Sequence, residues 1–248
     1  MLDKDVMPSF ITTVGHPRCH GCLIALSCAA MQALISQVFV GGVGALADSG
    51  RPSAIVKHAV SHAVGVTEMG LDGDAQADTS VHGGPEKAVH LYPADHYQQL
   101  AKRFPDLREV LLPGVLGENL SVRGLTESDV HVGDIWRVGT ARLQLCQPRM
   151  PCWKIDARLG HDGVAAHIDA HGLTGWYGRV VENGAVGPGD AMIHESTPRG
   201  AMTLAQALAL CGEHRPDLDA LQALIATPGL ARRWAVKLHK RLHYLQRL

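Results

Sequence analysis

The middle of the chain, from about residue 38 to residue 195, carries short apolar runs separated by turn residues. Ile135–Val138 and Ala141–Cys146 flank Gly139-Thr140, and a glycine in that place suits a two-residue hairpin turn. Val180–Glu182 leads into Asn183-Gly184, which is a strong signal for a second hairpin. Two further strands are predicted, at Val38–Val43 and Ile55–Val60. The pattern predicts a domain built mainly of β-strands.

A repeated turn pattern indicates how these strands are arranged. Residues 130–134 and 186–190 both read Val-x-x-Gly-Asp, and each pattern precedes an apolar run. Similar corners recur in barrels and rolled sheets. Helices interrupt the strands at Pro93–Phe104 and Val164–Ala170 rather than alternating with them. This organisation favours an α+β fold with a barrel-like core over a doubly wound parallel sheet.

Residues 199–248 have a different periodicity, which predicts three helices. Thr203 with Gln206 forms a capping box, Asp217 is placed to cap the second helix, and Thr227-Pro228 is placed to begin the third. The third helix carries an apolar stripe at helical spacing: Trp234, Leu238, Leu242 and Leu245. The sequence therefore predicts a small C-terminal three-helix domain at residues 199–248. The β-rich domain at residues 38–195 precedes it, and residues 1–37 are expected to form a poorly ordered extension.

Composition places the chain among soluble globular proteins of a reducing compartment. Its 248 residues are 46% hydrophobic, and the mean hydropathy is +0.02. Six cysteines are too sparse and irregular for a disulfide scaffold. Cys19-x-x-Cys22 invites a zinc interpretation, but no second pair with matching spacing follows it, so the sequence does not favour one. No apolar run is long enough to cross a bilayer, and we expect a cytoplasmic protein without a membrane partner.

Gln147–Lys154 reads Gln-Pro-Arg-Met-Pro-Cys-Trp-Lys and is the segment with the clearest chemistry. Its two prolines fix φ and remove two backbone donors, which predicts a stiff loop. Arg149 and Lys154 place positive charge near the thiol of Cys152, and this favours the thiolate, the form that attacks substrates and binds metals. The alternative is a small buried hydrophobic residue, which is what most cytosolic cysteines are.

Two further segments carry polar groups at turns. Val81–Lys87 reads Val-His-Gly-Gly-Pro-Glu-Lys, in which paired glycines allow backbone N–H groups to converge on an anion and Lys87 adds a charge. An ordinary Gly-Gly-Pro turn is the alternative. Gly117-Glu118-Asn119 precedes another predicted strand, where Asn119 is either a ligand-binding amide or a turn residue.

Taken together and in this order, these three segments resemble the MOSC domain, the C-terminal domain of molybdenum cofactor sulfurases, and more narrowly its YiiM-like branch. Gly175-Trp176-Tyr177, Gly189-Asp190 and the final three helices fit that branch as well. The similarity covers about residues 48–245. The resemblance implies a mainly-β, barrel-like MOSC core that binds the molybdenum cofactor (Mo-molybdopterin).

The resemblance also assigns roles to individual residues. It implies that Cys152 is the molybdenum ligand and the catalytic residue. It implies that the pterin and its phosphate are held by His82, Gly83, Gly84, Lys87, Asn119 and Arg149. Independent pyridoxal phosphate chemistry is not expected, because the sequence shows no segment that resembles the desulfurase domain that precedes the MOSC domain in eukaryotic cofactor sulfurases.

The activity that the resemblance implies is reduction of N-hydroxylated compounds to amines, as in detoxification of base analogues such as 6-N-hydroxylaminopurine. The sequence holds no plant-type C-x₄-C-x₂-C iron–sulfur spacing and no flavin or nicotinamide fingerprint, so a separate electron-donor protein is expected. One alternative is a cofactor-binding or sulfur-carrier protein that uses a Cys152 persulfide without redox turnover. Another is nucleic-acid binding through the six cations of residues 230–248, but the apolar stripe there favours a packing helix.

Overall fold

The computed structural model describes residues 31–46, 50–78 and 83–248. The strands are β1 Gln32–Val40, β2 Gly44–Ala45, β3 Pro52–Ser53, β4 His58–Val60, β5 Val64–Thr67, β6 Gly70–Leu71, β7 Val89–Pro93, β8 Leu120–Arg123, β9 Ile135–Val138, β10 Ala141–Pro148, β11 Trp176–Glu182, β12 Gly184–Val186 and β13 Ala191–Ser196. The α-helices are α1 His96–Arg103, α2 Lys154–Leu159, α3 Val164–Ala170, α4 Leu204–Gly212, α5 Leu218–Ile225 and α6 Arg232–Leu245.

Seven strands form a closed barrel, which confirms the predicted α+β fold with a barrel-like core. Their order is β13-β9-β10-β11-β7-β8-β1, and pairing between β1 and β13 closes the ring. β7 and β8 run parallel, whereas the other pairs of the ring run antiparallel. A parallel pair needs a crossover connection. That connection contains α1 and ends at Gly117-Glu118-Asn119. The barrel topology therefore places this segment at the start of β8.

The barrel and the three C-terminal helices share one apolar core. Trp136, Trp176 and Leu91 are fully buried in it, together with Leu221 of α5 and Leu238 of α6. A second cluster lies between α1, α2 and α3, where Leu100, Ile155 and Ile168 are fully buried. Because the helices complete the hydrophobic core of the barrel, their position is fixed by burial rather than by the short linker alone.

Local signals in the C-terminal region are confirmed. Thr203 accepts a hydrogen bond from the backbone N–H of Gln206, and the Gln206 side chain accepts one from the Thr203 N–H. Asp217 caps α5 by accepting a hydrogen bond from the backbone N–H of Ala220, 2.8 Å away. The predicted apolar stripe of α6 faces the core: Trp234, Leu238 and Leu242 are buried.

The start of α6 and the start of α1 were predicted too early. α6 begins at Arg232, because the Thr227 hydroxyl instead bonds Ala223 O at the end of α5 and Gly229 follows with a φ of 91°. α1 begins at His96, because Pro93 belongs to β7 and pairs with Val122. Both differences arise because the residues in question have partners outside their own helix.

Two strand predictions also need correction. β1 begins at Gln32, and residues 32–34 pair with β13, so the boundary of the N-terminal extension at residue 37 was placed too late. The hairpin at Asn183-Gly184 was wrong, because β12 pairs with β5 instead of β11. Gly184 serves a close approach rather than a turn: a Cβ there would lie 2.4 Å from the backbone nitrogen of Ala141.

The Cys19-x-x-Cys22 segment lies outside the described residues. Among the helices of the described ranges, none has the length and apolar character needed to cross a membrane.

Candidate functional site

A cleft at one end of the barrel gathers the loop after β10, the entry to β8, and residues 53–57 and 74–77. We call it the cysteine cleft. Its polar lining consists of Ser53, Lys57, Asp74, Gln76, Lys87, His90, Asn119, Arg149, Cys152, Lys154 and Tyr177. Four of the predicted site residues therefore meet in one place: Lys87, Asn119, Arg149 and Cys152.

The remaining three predicted residues stand differently. His82 lies outside the described residues. Gly83 and Gly84 are not part of the described lining. They contact Gln76, which does line the cleft. The N–H of Gly84 donates to Gln76 Oε1 at 2.7 Å, and a Cβ at Gly83 would lie 2.4 Å from the same oxygen. Gly83 therefore leaves room for the Gln76 side chain, and the backbone N–H of Gly84 is already used by it.

Cys152 lies on a loop that is shorter than predicted. Pro148 is the last residue of β10 and Lys154 is the first residue of α2, a helix that the sequence analysis did not predict. The Arg149 N–H donates to Gly175 O at 3.0 Å, and the Cys152 carbonyl accepts from Ile155 N at 3.0 Å. The loop is held at both ends by backbone hydrogen bonds, and the Cys152 side chain between them is half-buried.

Cys146, near the end of β10, has a different environment. It is fully buried, and its Sγ lies 2.9 Å from Glu86 O and 3.4 Å from Tyr177 O. Burial raises the pKa of this thiol to about 12, although Arg179 opposes the shift. Cys146 therefore stays protonated and packs as a small apolar residue. Of the described cysteines, Cys152 is the one that lines the cleft.

Arg149 is a buried cation that forms no salt bridge with a described carboxylate. Its residue is 6% exposed, and Nη1 has no hydrogen-bond partner among the described residues. Its Nη2 lies 3.4 Å from Leu116 O, a long contact. Burying a guanidinium with an unsatisfied N–H group is costly. A guanidinium with an unused N–H in a cleft is suited to bind an anion from outside the chain.

Asn119 connects three parts of the site. Its Oδ1 accepts from the His90 N–H at 3.0 Å, and its Nδ2 donates to Asp74 Oδ2 at 2.8 Å and to Phe39 O at 3.3 Å. Its backbone N–H donates to His90 O at 2.8 Å, and its backbone carbonyl accepts from Phe39 N at 2.7 Å. Both amide hydrogens are used, so the side chain holds β7, β1 and the Asp74 loop together.

Asp74 in turn holds Lys57, and the two form a buried ion pair. Asp74 also accepts from the Gly41 N–H at 2.9 Å. Burial lowers the pKa of Lys57, and Asp74 opposes this shift. Burial and the nearby Arg233 lower the pKa of Lys87, whose Nζ lies 5.6 Å from the ring centre of Tyr177.

The balance of charge in the cleft is positive. The described lining contains four cations, Lys57, Lys87, Arg149 and Lys154, and one carboxylate, Asp74. Four cations against one carboxylate give the described lining a net formal charge of +3. The site is therefore complementary to an anionic molecule.

His90 lies on the wall of the cleft within β7. It is 4% exposed, and its Nε2 has no hydrogen-bond partner among the described residues. Burial, together with the charge of Arg149, holds the pKa of His90 well below its ordinary value, so the ring is neutral near pH 7. The Tyr177 ring packs beside it, with the ring centres 5.2 Å apart.

Sequence reasoning missed His90, Lys57 and Asp74. A signal for His90 was available, because it interrupts the apolar run of residues 88–92, and a polar residue inside a buried strand needs an explanation. Lys57 and Asp74 had no comparable local signal. Their importance depends on Asn119, which lies 45 residues beyond Asp74 in the chain.

A larger cavity, of about 730 Å³, lies between the barrel, α3, α4 and α6. Its walls include Leu208, Trp234 and Leu238. The buried His96–Glu127 pair that lines it already has partners within the protein. His96 Nε2 lies 2.7 Å from Glu127 Oε2, and Glu127 Oε1 accepts a hydrogen bond from the Gly175 N–H. The cysteine cleft differs because it offers an accessible thiol beside unused buried donors.

Comparison with known proteins gives the family. The MOSC domain matches residues 78–193, a range that contains the four predicted residues of the cleft. Protein YiiM of Escherichia coli (strain K12) is 37% identical over 204 residues, which cover 82% of this chain and 90% of that protein. The chain belongs to the MOSC domain family. It is a YiiM-like MOSC protein, as the sequence resemblance indicated.

The similarity to solved YiiM structures extends over most of the chain. The crystal structure of YiiM from Geobacillus stearothermophilus superposes with a TM-score of 0.72 at 29% identity, covering 85% of this chain and 99% of that chain. A protein named as a reductase in Gibberella moniliformis (strain M3125 / FGSC 7600) is 33% identical over 141 residues, which are 56% of this chain and 25% of that protein. MOSC domains as a family are associated with molybdenum cofactor binding.

Proposed function

We propose that this MOSC protein binds the molybdenum cofactor in the cysteine cleft and reduces N-hydroxylated compounds to amines. One observation carries the proposal: the half-buried Cys152 thiol shares a cleft with Arg149, a buried guanidinium whose Nη1 has no partner among the described residues. The molybdenum cofactor is a sulfur-ligated metal on a phosphorylated pterin. A thiol can bind its metal, and a cation beside the thiol can bind its phosphate.

The donor set fits this group chemically. A thiolate is a soft ligand and suits a transition metal that is already bound by sulfur. Arg149 and Lys87 supply positive charge for the phosphate, and the unpartnered Nε2 of His90 offers a hydrogen bond to the pterin. When bound, the molybdenum cofactor would supply two-electron redox chemistry.

The roles of the other predicted residues follow from their contacts. Asn119 acts by positioning, because its amide is used to hold Asp74 and through it Lys57. Gly83 leaves room for Gln76 and Gly84 donates a hydrogen bond to it, so Gln76 reaches the cleft in their place. His82 remains a predicted contributor from the segment that precedes Gly83.

The proposed reaction balances as follows. The N–O bond of R–NH–OH breaks with the uptake of two electrons and two protons. One proton goes to the nitrogen and the other to the departing hydroxyl, and the products are R–NH₂ and water. The electrons come from a separate donor protein, since the sequence carries no flavin, nicotinamide or iron–sulfur motif of its own. The relative named as a reductase supports this class of activity.

Metal and pterin analysis of the purified protein, expressed with cofactor supply, tests the proposal. The wild type should retain molybdenum and pterin, and Cys152→Ala should lose most of the molybdenum. Cys211→Ala is the matched control, because Cys211 is also a half-buried thiol but lies on α4 outside the cleft. Loaded wild-type protein should reduce a hydroxylamine with an artificial electron donor, and both activity and metal should fall together in Cys152→Ala.

A second variant separates the anion site from the metal ligand. Arg149→Met keeps a long side chain but removes the charge, so pterin retention should fall while the Cys152 thiol remains present. Equal molybdenum in the wild type and Cys152→Ala would contradict the proposal. Sulfane sulfur on Cys152 with no molybdenum in the wild type would support a sulfur carrier instead.

A further inference from the structure

The outer side of α6 carries positive charge without any negative charge. Its buried residues face the core, and exposed residues recur every three or four positions on the side turned away from it. We call this outer side the basic face. It consists of Arg233, Lys237, Lys240, Tyr244 and Arg247. No aspartate or glutamate occurs in residues 230–248.

The charge of the chain is divided unevenly because of this helix. Residues 230–248 contain six of the 23 lysines and arginines and none of the 24 acidic residues, so the rest of the chain carries a net charge of −7. A local concentration of one sign on a protein of the other sign creates a field that orients a charged partner during encounter.

The cations of the basic face are available to such a partner. None of the four forms a salt bridge with a carboxylate in the described ranges. Arg241 of the same helix differs, because it is half-buried and its guanidinium donates to Cys211 O and Glu213 O at the end of α4. Arg241 therefore holds α6 against α4, whereas the basic face has no such role in packing.

The first turn of α6 lies beside the wall of the cysteine cleft. The backbone N–H of Arg232 donates to Glu86 Oε1 at 2.8 Å, and Glu86 precedes Lys87, which lines the cleft. Burial, and after it the charge of Arg233, lowers the pKa of Lys87, as expected for two cations that lie close together. With 14 residues, α6 extends the basic face for about 20 Å from this point.

The composition of the surface favours a protein partner over a nucleic acid. Tyr244 is 63% exposed between the cations, and Val236 beside them is 48% exposed. Aromatic residues are enriched in protein–protein interfaces, whereas contacts to phosphate come from cations and hydrogen-bond donors. The isoelectric point of the chain is about 6.9, which is not that of a strongly basic nucleic-acid-binding protein.

We infer that the basic face is the docking surface for an acidic electron-carrier protein. The inference rests on the proposed function for the need of electrons, and it adds where the carrier binds and which charge its surface has. Reduction of one N–O bond takes two electrons, so two reduced molecules of a one-electron carrier are oxidised in each turnover, and the two protons come from solvent. A carrier that docks on the basic face lies beside Lys87 and the cleft.

Calorimetric titration of the full-length, cofactor-free protein tests this surface without any metal. The probe is a plant-type [2Fe–2S] ferredoxin of negative net charge, and a c-type cytochrome of positive net charge is the probe of opposite sign. The ferredoxin should bind at low ionic strength and weaken steeply as salt is added, and the cytochrome should not bind. Failure of the ferredoxin to bind, or equal binding of the two probes, would overturn the inference.

Charge-reversal variants locate the binding. Lys237→Glu combined with Lys240→Glu should weaken ferredoxin binding by roughly tenfold or more. Lys102→Glu combined with Arg108→Glu is the matched control, because it makes the same change of net charge at exposed positions outside α6. Unchanged affinity in the α6 variant, or an equal loss in the control, would show that the basic face is not the docking surface.

A DNA duplex of random sequence tests the competing class of partner. If the duplex binds the wild type more tightly than the ferredoxin and displaces it, the basic face is a nucleic-acid surface and the inference is wrong. If the ferredoxin binds more tightly, the protein partner is supported.

The loaded enzyme gives a second readout, in which the two proposals fail separately. In the Lys237→Glu and Lys240→Glu double variant, turnover driven by reduced ferredoxin should fall, while turnover driven by reduced methyl viologen, a small donor that needs no protein interface, should stay the same. Ferredoxin binding on the basic face without molybdenum retention would overturn the proposed function alone. Molybdenum retention with ferredoxin-driven turnover that does not depend on the basic face would overturn the docking surface alone.

Discussion

The Asn119 side chain should be one of the most sensitive polar positions of the fold, and Asn119→Ala tests this. Three hydrogen bonds disappear: a buried one from the His90 N–H at 3.0 Å, a buried one to Phe39 O at 3.3 Å and a partly buried one to Asp74 Oδ2 at 2.8 Å. Each such bond contributes about 1 kcal/mol net to the free energy of unfolding, so the loss of three bonds sets the size of the effect. We therefore expect a loss of about 3 kcal/mol.

Urea unfolding at neutral pH, followed by tryptophan fluorescence, measures this loss. With a slope of about 3 kcal/mol/M, the expected loss lowers the midpoint by roughly 1 M. Asn183→Ala is the matched control, since Asn183 is the other asparagine of the chain and is exposed between β11 and β12. The control should change the free energy of unfolding by less than about 0.5 kcal/mol.

Asn119→Asp sharpens the test because it keeps the size of the side chain. The new carboxylate of residue 119 takes the place of the N–H group that donated to Asp74 Oδ2. Repulsion between this carboxylate and Asp74 raises the pKa of the new carboxyl group and destabilises the fold at neutral pH. A group with a raised pKa binds a proton in the folded state first, so this variant should recover stability as the pH falls. If Asn119→Ala resembles Asn183→Ala, the three contacts do not stabilise the site and the reasoning fails.

Three other predictions concern positions with separate physical causes. Burial depresses the pKa of His90, so below about pH 6.5 the unfolded chain binds a proton at this residue and the folded chain does not. The free energy of unfolding should therefore fall by up to about 1.4 kcal/mol for each pH unit below that value. His90→Gln should reduce this pH dependence in urea unfolding at several pH values, and an unchanged pH dependence would contradict the depressed pKa. Gly175→Ala should lower the free energy of unfolding by more than about 2 kcal/mol in the same assay, since φ is 63° and the new Cβ would lie 2.5 Å from Leu91 O. Gly189→Ala is the control: φ is 93°, but no atom lies within 4 Å of the new Cβ, so the loss should be only about 1 kcal/mol. Thr203→Ala removes the cap of α4 and should cost about 1 kcal/mol in thermal unfolding; no measurable change would show that the capping box does not contribute.

Several features of this protein could be predicted because their causes lie within a few residues. The hairpin around Gly139 depends on a positive φ, observed at 58°, and on the apolar runs at each side. The Thr203 capping box joins residues three apart. The bounds of α3 were predicted as they occur, since the helix is followed by Gly172 with a φ of 65°. The grouping of Lys87, Asn119, Arg149 and Cys152 came from the family resemblance, not from local chemistry.

The amino-acid sequence by itself determined the hairpin around Gly139, the caps of α4 and α5 and the proline-flanked Cys152, because each depends on neighbouring residues and on backbone conformation. The tertiary structure alone decided which strand β12 joins, why Gly184 is needed beside Ala141, and that Lys57 and Asp74 belong to the site. These depend on closure of the barrel, which brings groups far apart in the chain into one buried space. In that buried space, the removal of water from a polar side chain determines its hydrogen-bond partners and its pKa as much as the type of the residue does.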